Sequence, residues 1–177
     1  MHVVFAGQFF VKKEALIAFN SALYENHLWE SPVEGVAVGK DGWLYYSPSL
    51  DDFRHTGAVS ERVLFNEAHN VALMQEYFES RGAKFIFTIA PNKSSLYPGF
   101  MPDRYKYFAG SKSDAERLVP YLEENKVNYT DLFRLFKDNG EELYYKRDSH
   151  WTEKGAVMVY RKLLGESLGD DRLLTVP

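Results

Sequence analysis

Cysteine is absent from all 177 residues, which excludes a disulfide framework, zinc–thiolate sites and a cysteine nucleophile. An excess of positive charge is missing as well. The 21 Lys and Arg stand against 25 Asp and Glu, a formal net charge of -4, so the chain has no basic footprint for nucleic acid. Apolar runs stay short, as in Phe85–Pro91 (FIFTIAP), far below the roughly 20 residues of a membrane-spanning helix. Met1–Phe10 (MHVVFAGQFF) lacks a charged leading region, a long apolar stretch and a small-residue cleavage site, and does not read as a secretory signal. No internal repeat, low-complexity tract or Gly/Ser linker interrupts the chain, and both ends look abrupt, as in a segment of something longer.

What remains is ordinary for a folded domain: 45% hydrophobic and 26% charged residues, enough for one domain over residues 1–177. Aromatics reach 16%, with 12 Tyr and 13 Phe against 3 Trp. Most of these rings are expected in the core. The Tyr excess also suits a carbohydrate-facing surface, where a ring covers an apolar sugar face and its hydroxyl bonds sugar oxygens.

Apolar spacing predicts an amphipathic helix over Lys12–His27, with Leu16, Phe19 and Leu23 on one face, and a longer one over Glu61–Arg81. Leu64, Ala68, Val71, Met74 and Phe78 form the apolar face of the second, which Ser60 can cap and Gly82 can end. Val36–Tyr46 reads as a hairpin turning at Lys40-Asp41-Gly42. Lys84–Pro91 reads as a strand buried on both faces, followed by a loop over Asn92–Gly110. Helices are expected at Asp114–Asn125, Asp131–Lys137 and Thr152–Leu168, and strands at Val127–Thr130 and Leu143–Arg147. This alternation argues for an α/β layered fold with a mostly parallel sheet. Reacting groups in such sheets collect beyond the carboxyl ends of the strands, where Asn92-Lys93-Ser94-Ser95 and Asp148-Ser149-His150 fall.

If the strand before it persists through His150, Asp148 and His150 project to one side, because strand alternation has period two. A carboxylate there accepts the Nδ1 proton, fixes the tautomer and leaves Nε2 free to deprotonate a hydroxyl. Trp151 would restrict water beside the histidine, and Thr152 opens a helix whose N-terminus adds positive potential. On the residues alone, three readings stay open: a structural pair at a strand end, two ligands of a metal site, and an acid–base pair. The metal reading needs further ligands, for which His55 and His69 are the nearest candidates. Asn92 and Lys93 could donate hydrogen bonds to an oxyanion, or Asn92 could simply close a turn. Ser94 and Ser95 follow a strand end but lack a Gly-x-Ser-x-Gly context, and Ser149 would point away from the pair.

Four segments taken in order carry a resemblance. They are an aromatic-rich amphipathic start with Asn20, VGKDGWLYY at Val38–Tyr46, IAPNKSSLYP at Ile89–Pro98, and YYKRDSHWTEKGA at Tyr144–Ala156. Together they resemble the AlgX/AlgJ family of SGNH-hydrolase-like proteins, which O-acetylate exported bacterial polysaccharides such as alginate. The resemblance implies a three-layer α/β/α sandwich, here incomplete at its C-terminus, with Asp148 and His150 as the triad Asp and His. It implies a serine nucleophile in a later Gly-Asp-Ser block, which these 177 residues do not contain. Asn92, Lys93 and Trp151 are then oxyanion or substrate-binding candidates. A polysaccharide and an acyl donor are the expected partners, with neither cofactor nor metal, in the periplasm or at the cell surface and with an anchor conceivable in a parent protein. The alternative is a non-catalytic carbohydrate-binding or surface module that keeps the fold. A domain cut before its last strands would also expose a sheet edge and self-associate through it, with Arg172–Pro177 as a segment able to cover that edge.

Overall fold

The computed structural model describes residues 34–105 and 112–169. The expected helix at Lys12–His27 and the tail Arg172–Pro177 lie outside these residues. Strands β1 (Val36–Val38) and β2 (Leu44–Tyr46) pair antiparallel, with Val36 opposite Tyr46 and Val38 opposite Leu44. The turn between them is the expected Lys40-Asp41-Gly42, where Asp41 and Gly42 take φ of 55° and 74°. Those left-handed values match the twist of a tight hairpin and suit Asp and Gly. Before it, Gly39 has no room for a side chain: a Cβ would lie 2.7 Å from the Phe100 carbonyl.

Helices α1 (Leu50–Phe53) and α2 (Glu61–Glu79) follow. Ser60 caps α2 by accepting from Val63 N, satisfying one of the free first-turn donors. Strand β3 (Phe87–Thr88) then runs parallel to β4 (Tyr129–Thr130). Between them lie α3 (Lys93–Leu96) and α4 (Asp114–Glu124), the latter opened by a full capping box of Ser113 and Glu116. Helix α5 (Leu132–Asn139) is capped by Asp131 and ended by Gly140 at φ 72°. Helix α6 (Glu153–Leu168) is capped by Thr152, which accepts from Gly155 N.

Three clusters make the interior. Trp43, Tyr45, Leu50, Phe53 and Met101 pack under the hairpin. Leu64 and Ala68 of α2 meet Leu118, Leu122 and Val127. Leu132, Phe136, Leu143, Tyr144, Met158 and Val159 join α5 to α6, and this third cluster carries the segment with the Asp-x-His triplet.

The α/β class holds, while the parallel sheet among the described residues consists of β3 and β4 alone. Three expectations are corrected. Residues 85–89 are half-buried rather than enclosed on both faces, because β3 has one strand neighbour among the described residues. Leu143–Arg147 is not a strand: it contributes a single antiparallel bridge, Tyr144 to Trp151. Helix α2 buries Leu64 and Ala68 as expected, but Met74 and Phe78 stay exposed, since α4 covers only its first half.

Candidate active site

The chain reverses between Leu143 and Thr152. Thr152 N donates to Leu143 O at 2.8 Å and Tyr145 N to His150 O at 3.1 Å, closing a short loop with Asp148 near its tip. Asp148 Oδ1 accepts from His150 N at 2.9 Å and from His150 Nδ1 at 2.5 Å. A side-chain oxygen bonded to the backbone N–H two residues on is an Asx turn. The pair therefore meets through a turn and not through strand alternation. The hydrogen bond from His150 is the main reason the Asp148 carboxyl is held below the usual carboxylate range.

This arrangement fixes which nitrogen of the neutral imidazole carries the proton. With Nδ1–H given to the carboxylate, Nε2 presents a lone pair, as a general base requires. The His150 side chain is 82% exposed and that of Asp148 54%, so among the described residues the pair lies open to solvent. A cavity of about 250 Å³ adjoins Asp148, lined also by Val36, Leu44, Tyr46, Arg147 and Ser149. Among the described residues no serine hydroxyl bonds His150 Nε2.

The other candidates have different neighbours from those expected. Trp151 does not shield the histidine. Its indole turns inward, 5.2 Å from the Phe136 ring centre, and Nε1 donates to Tyr144 Oη at 2.6 Å. Tyr144 in turn donates to Pro91 O at 2.5 Å, and burial pushes its phenol up to about 12. Asn92 donates to Asp52 Oδ2 at 2.8 Å, away from the pair. Ser94 is buried, and its hydroxyl finds no protein partner. Ser95 lines a separate cavity of about 360 Å³ with Phe53, His55, Glu116, Tyr129 and Lys137.

Lys93 departs furthest from an oxyanion donor. Its Nζ lies 2.7 Å from Leu44 O, 2.7 Å from Tyr145 O, 2.8 Å from Lys146 O and 3.0 Å from Asp148 O. Three N–H bonds are shared over four carbonyls, leaving none for a substrate. The ammonium also sits 4.8 Å from the Trp43 ring centre. Burial pushes it down to about 8, against the upward pull of Asp148. No local pattern could have disclosed this role, since the acceptors lie about fifty positions away in sequence.

Residues 36–171 match the family described as SGNH hydrolase-like domain, acetyltransferase AlgX. A probable alginate O-acetylase AlgJ of Pseudomonas aeruginosa is 30% identical over 146 residues, covering 81% of this chain and 35% of that protein. Its counterpart in Pseudomonas syringae is 30% identical over 141 residues, covering 73% and 32%. The chain thus spans about a third of the length of the curated relatives it matches. The O-acetyltransferase domain of Pseudomonas putida AlgJ superposes with a TM-score of 0.53 at 18% identity, over 81% of this chain and 50% of that one. Bacillus cereus PatB1 with a sulfonyl adduct gives 0.51 at 16%, over 76% and 43%. At these identities the superpositions speak for the fold.

Proposed function

The chain belongs to the SGNH hydrolase-like family of AlgX-type acetyltransferase domains, and from that premise we propose that it carries the Asp–His half of a serine O-acetyltransferase. The observation that carries this reading is the 2.5 Å contact of Asp148 Oδ1 with His150 Nδ1, which orients Nε2 toward an incoming hydroxyl. In the proposed cycle Nε2 takes the proton of a serine hydroxyl as its oxygen attacks the acetyl donor. The imidazolium, stabilised by Asp148, returns that proton to the departing group. A sugar hydroxyl, deprotonated by the same nitrogen, then attacks the acetyl-serine carbonyl, so that the acetyl group passes to the sugar oxygen and the imidazolium returns the proton to the departing serine oxygen. The nucleophilic serine is assigned outside the described residues.

The substrate we propose is an exported acidic polysaccharide of the alginate type, supported by the AlgJ relatives, which are probable alginate O-acetylases. Such a substrate places the site outside the cytoplasm. Among the described residues no helix is long and apolar enough to cross a membrane. One observation favours the alternative of a glycan-binding module: the 360 Å³ cavity has aromatic walls in Phe53, Tyr129 and Phe133, a lining that suits sugar faces.

Substitution in the host gene separates the two. Asp148→Asn or His150→Gln should lower polysaccharide O-acetylation by roughly 10²–10⁴-fold, the usual worth of a positioned general base, with polymer binding retained. Undiminished acetylation in both variants would remove the catalytic reading and leave the binding module.

A further inference from the structure

The turn that presents Asp148 has little to hold it in place by itself. Its residues 145–150 are exposed, and Asp148 N reaches Tyr145 O only at 3.4 Å. One backbone bond, Leu44 N to Lys146 O at 3.0 Å, ties it to β2. An exposed six-residue loop of this kind would ordinarily sample many conformations.

Lys93 changes that. It comes from α3, directly after the loop that leaves β3, and its ammonium enters the space between β2 and the turn. There it binds one carbonyl of β2 and three of the turn, those of Leu44 and of Tyr145, Lys146 and Asp148. The rings of Trp43 and Tyr45 lie 4.8 and 5.3 Å away and add a favourable cation–π contribution. Convergent carbonyls match a compact ammonium with rotatable donors better than the planar fork of an arginine. The Asp148 carbonyl it holds belongs to the same residue whose carboxylate holds His150.

We propose that Lys93 is the positioning residue of the Asp148–His150 pair, clamping the turn to β2 so that the carboxylate meets Nδ1. This rests on reading the pair as the acid–base couple. Its test reads the geometry of the pair and not turnover, so each proposal can fail without the other.

The test is nuclear magnetic resonance on 15N- and 13C-labelled protein. In the native chain the neutral His150 ring should carry its proton on Nδ1. In Lys93→Met, folded by circular dichroism, the Nδ1–H population should fall in favour of Nε2–H. The Asp148 carboxyl midpoint should rise toward the ordinary carboxylate range. Leu118→Ala, which opens a cavity in the α2–α4 cluster, should lower stability while leaving both signals unchanged. A folded Lys93→Met with native His150 tautomer and Asp148 midpoint would overturn the proposal. Should that variant not fold, the native protein decides. The Lys93 ammonium protons should be protected from exchange and show coupling across the hydrogen bonds to the Tyr145 and Asp148 carbonyl carbons. A rapidly exchanging, uncoupled ammonium would overturn it equally.

Discussion

Adding a single methyl group at Gly155 tests how tightly the loop bearing the pair is seated on α6. Gly155 lies in the first turn of that helix and is buried. A Cβ built there would meet Leu143 O at 2.7 Å, Leu143 Cβ at 3.3 Å and Trp151 Cβ at 3.4 Å. An ordinary carbon–oxygen contact is about 3.3–3.6 Å, so the carbonyl or the helix has to move by more than half an ångström. That carbonyl is not free to swing, because it accepts the bond from Thr152 N that closes the loop. Overpacking of this kind costs about 1–3 kcal/mol, while Gly to Ala in a helix returns up to about 1 kcal/mol. Against a backbone carbonyl held in place the cost falls at the upper end of that range, about 2–3 kcal/mol, so Gly155→Ala should lose about 1–2 kcal/mol net, or roughly 2–8 °C of Tm for a chain of this size. Urea unfolding followed by circular dichroism is the assay, with Gly99→Ala as the control. No atom lies within 4 Å of a Cβ at Gly99, and its change should stay within about 0.5 kcal/mol. A Gly155→Ala protein as stable as the native one would refute the reasoning, since the loop would then not sit against the helix as described.

Tyr144→Phe removes a hydroxyl that donates to Pro91 O and accepts from Trp151 Nε1. Leaving those groups unpaired should cost about 1–3 kcal/mol; a loss below about 0.5 kcal/mol in denaturant titrations would show them satisfied otherwise. The Asp148 carboxyl is held low by His150, so its folded midpoint lies below its unfolded one. Its contribution is then complete above the unfolded value and lost as pH falls through the folded one. A carbon-detected titration should place the midpoint below the ordinary value, and His150→Ala should raise it; an unmoved midpoint would mean that the contact does not form in solution. Self-association through the edge of β3 predicts a mass that grows with concentration in light scattering, and a constant monomer mass would exclude it.

Much of the fold was legible because its signals are local. Ser60, Ser113, Asp131 and Thr152 each cap a helix within three residues of themselves, and Asp41-Gly42 closes the hairpin it was expected to close. Helix periodicity and turn chemistry involve neighbours a few positions apart, which any reading of the chain contains. The meeting of Asp148 with His150 was legible for the same reason, being a contact across two residues. Its form was not. A segment such as Leu143–Arg147, opening on Leu-Tyr-Tyr, suits a strand, but a strand needs a partner, and only tertiary placement decides whether one is present. The same limit applied to burial on α2, where α4 covers the first half of the face and leaves Met74 and Phe78 exposed. Trp151, Asn92 and Lys93 were candidates for oxyanion or substrate binding, with a strand-end turn as the alternative for Asn92. In the folded chain they bond Tyr144, Asp52 and a ring of carbonyls instead. For Asn92 and Lys93 the groups that receive the donors lie forty or more positions away in sequence, and those distances exist only once the chain has packed.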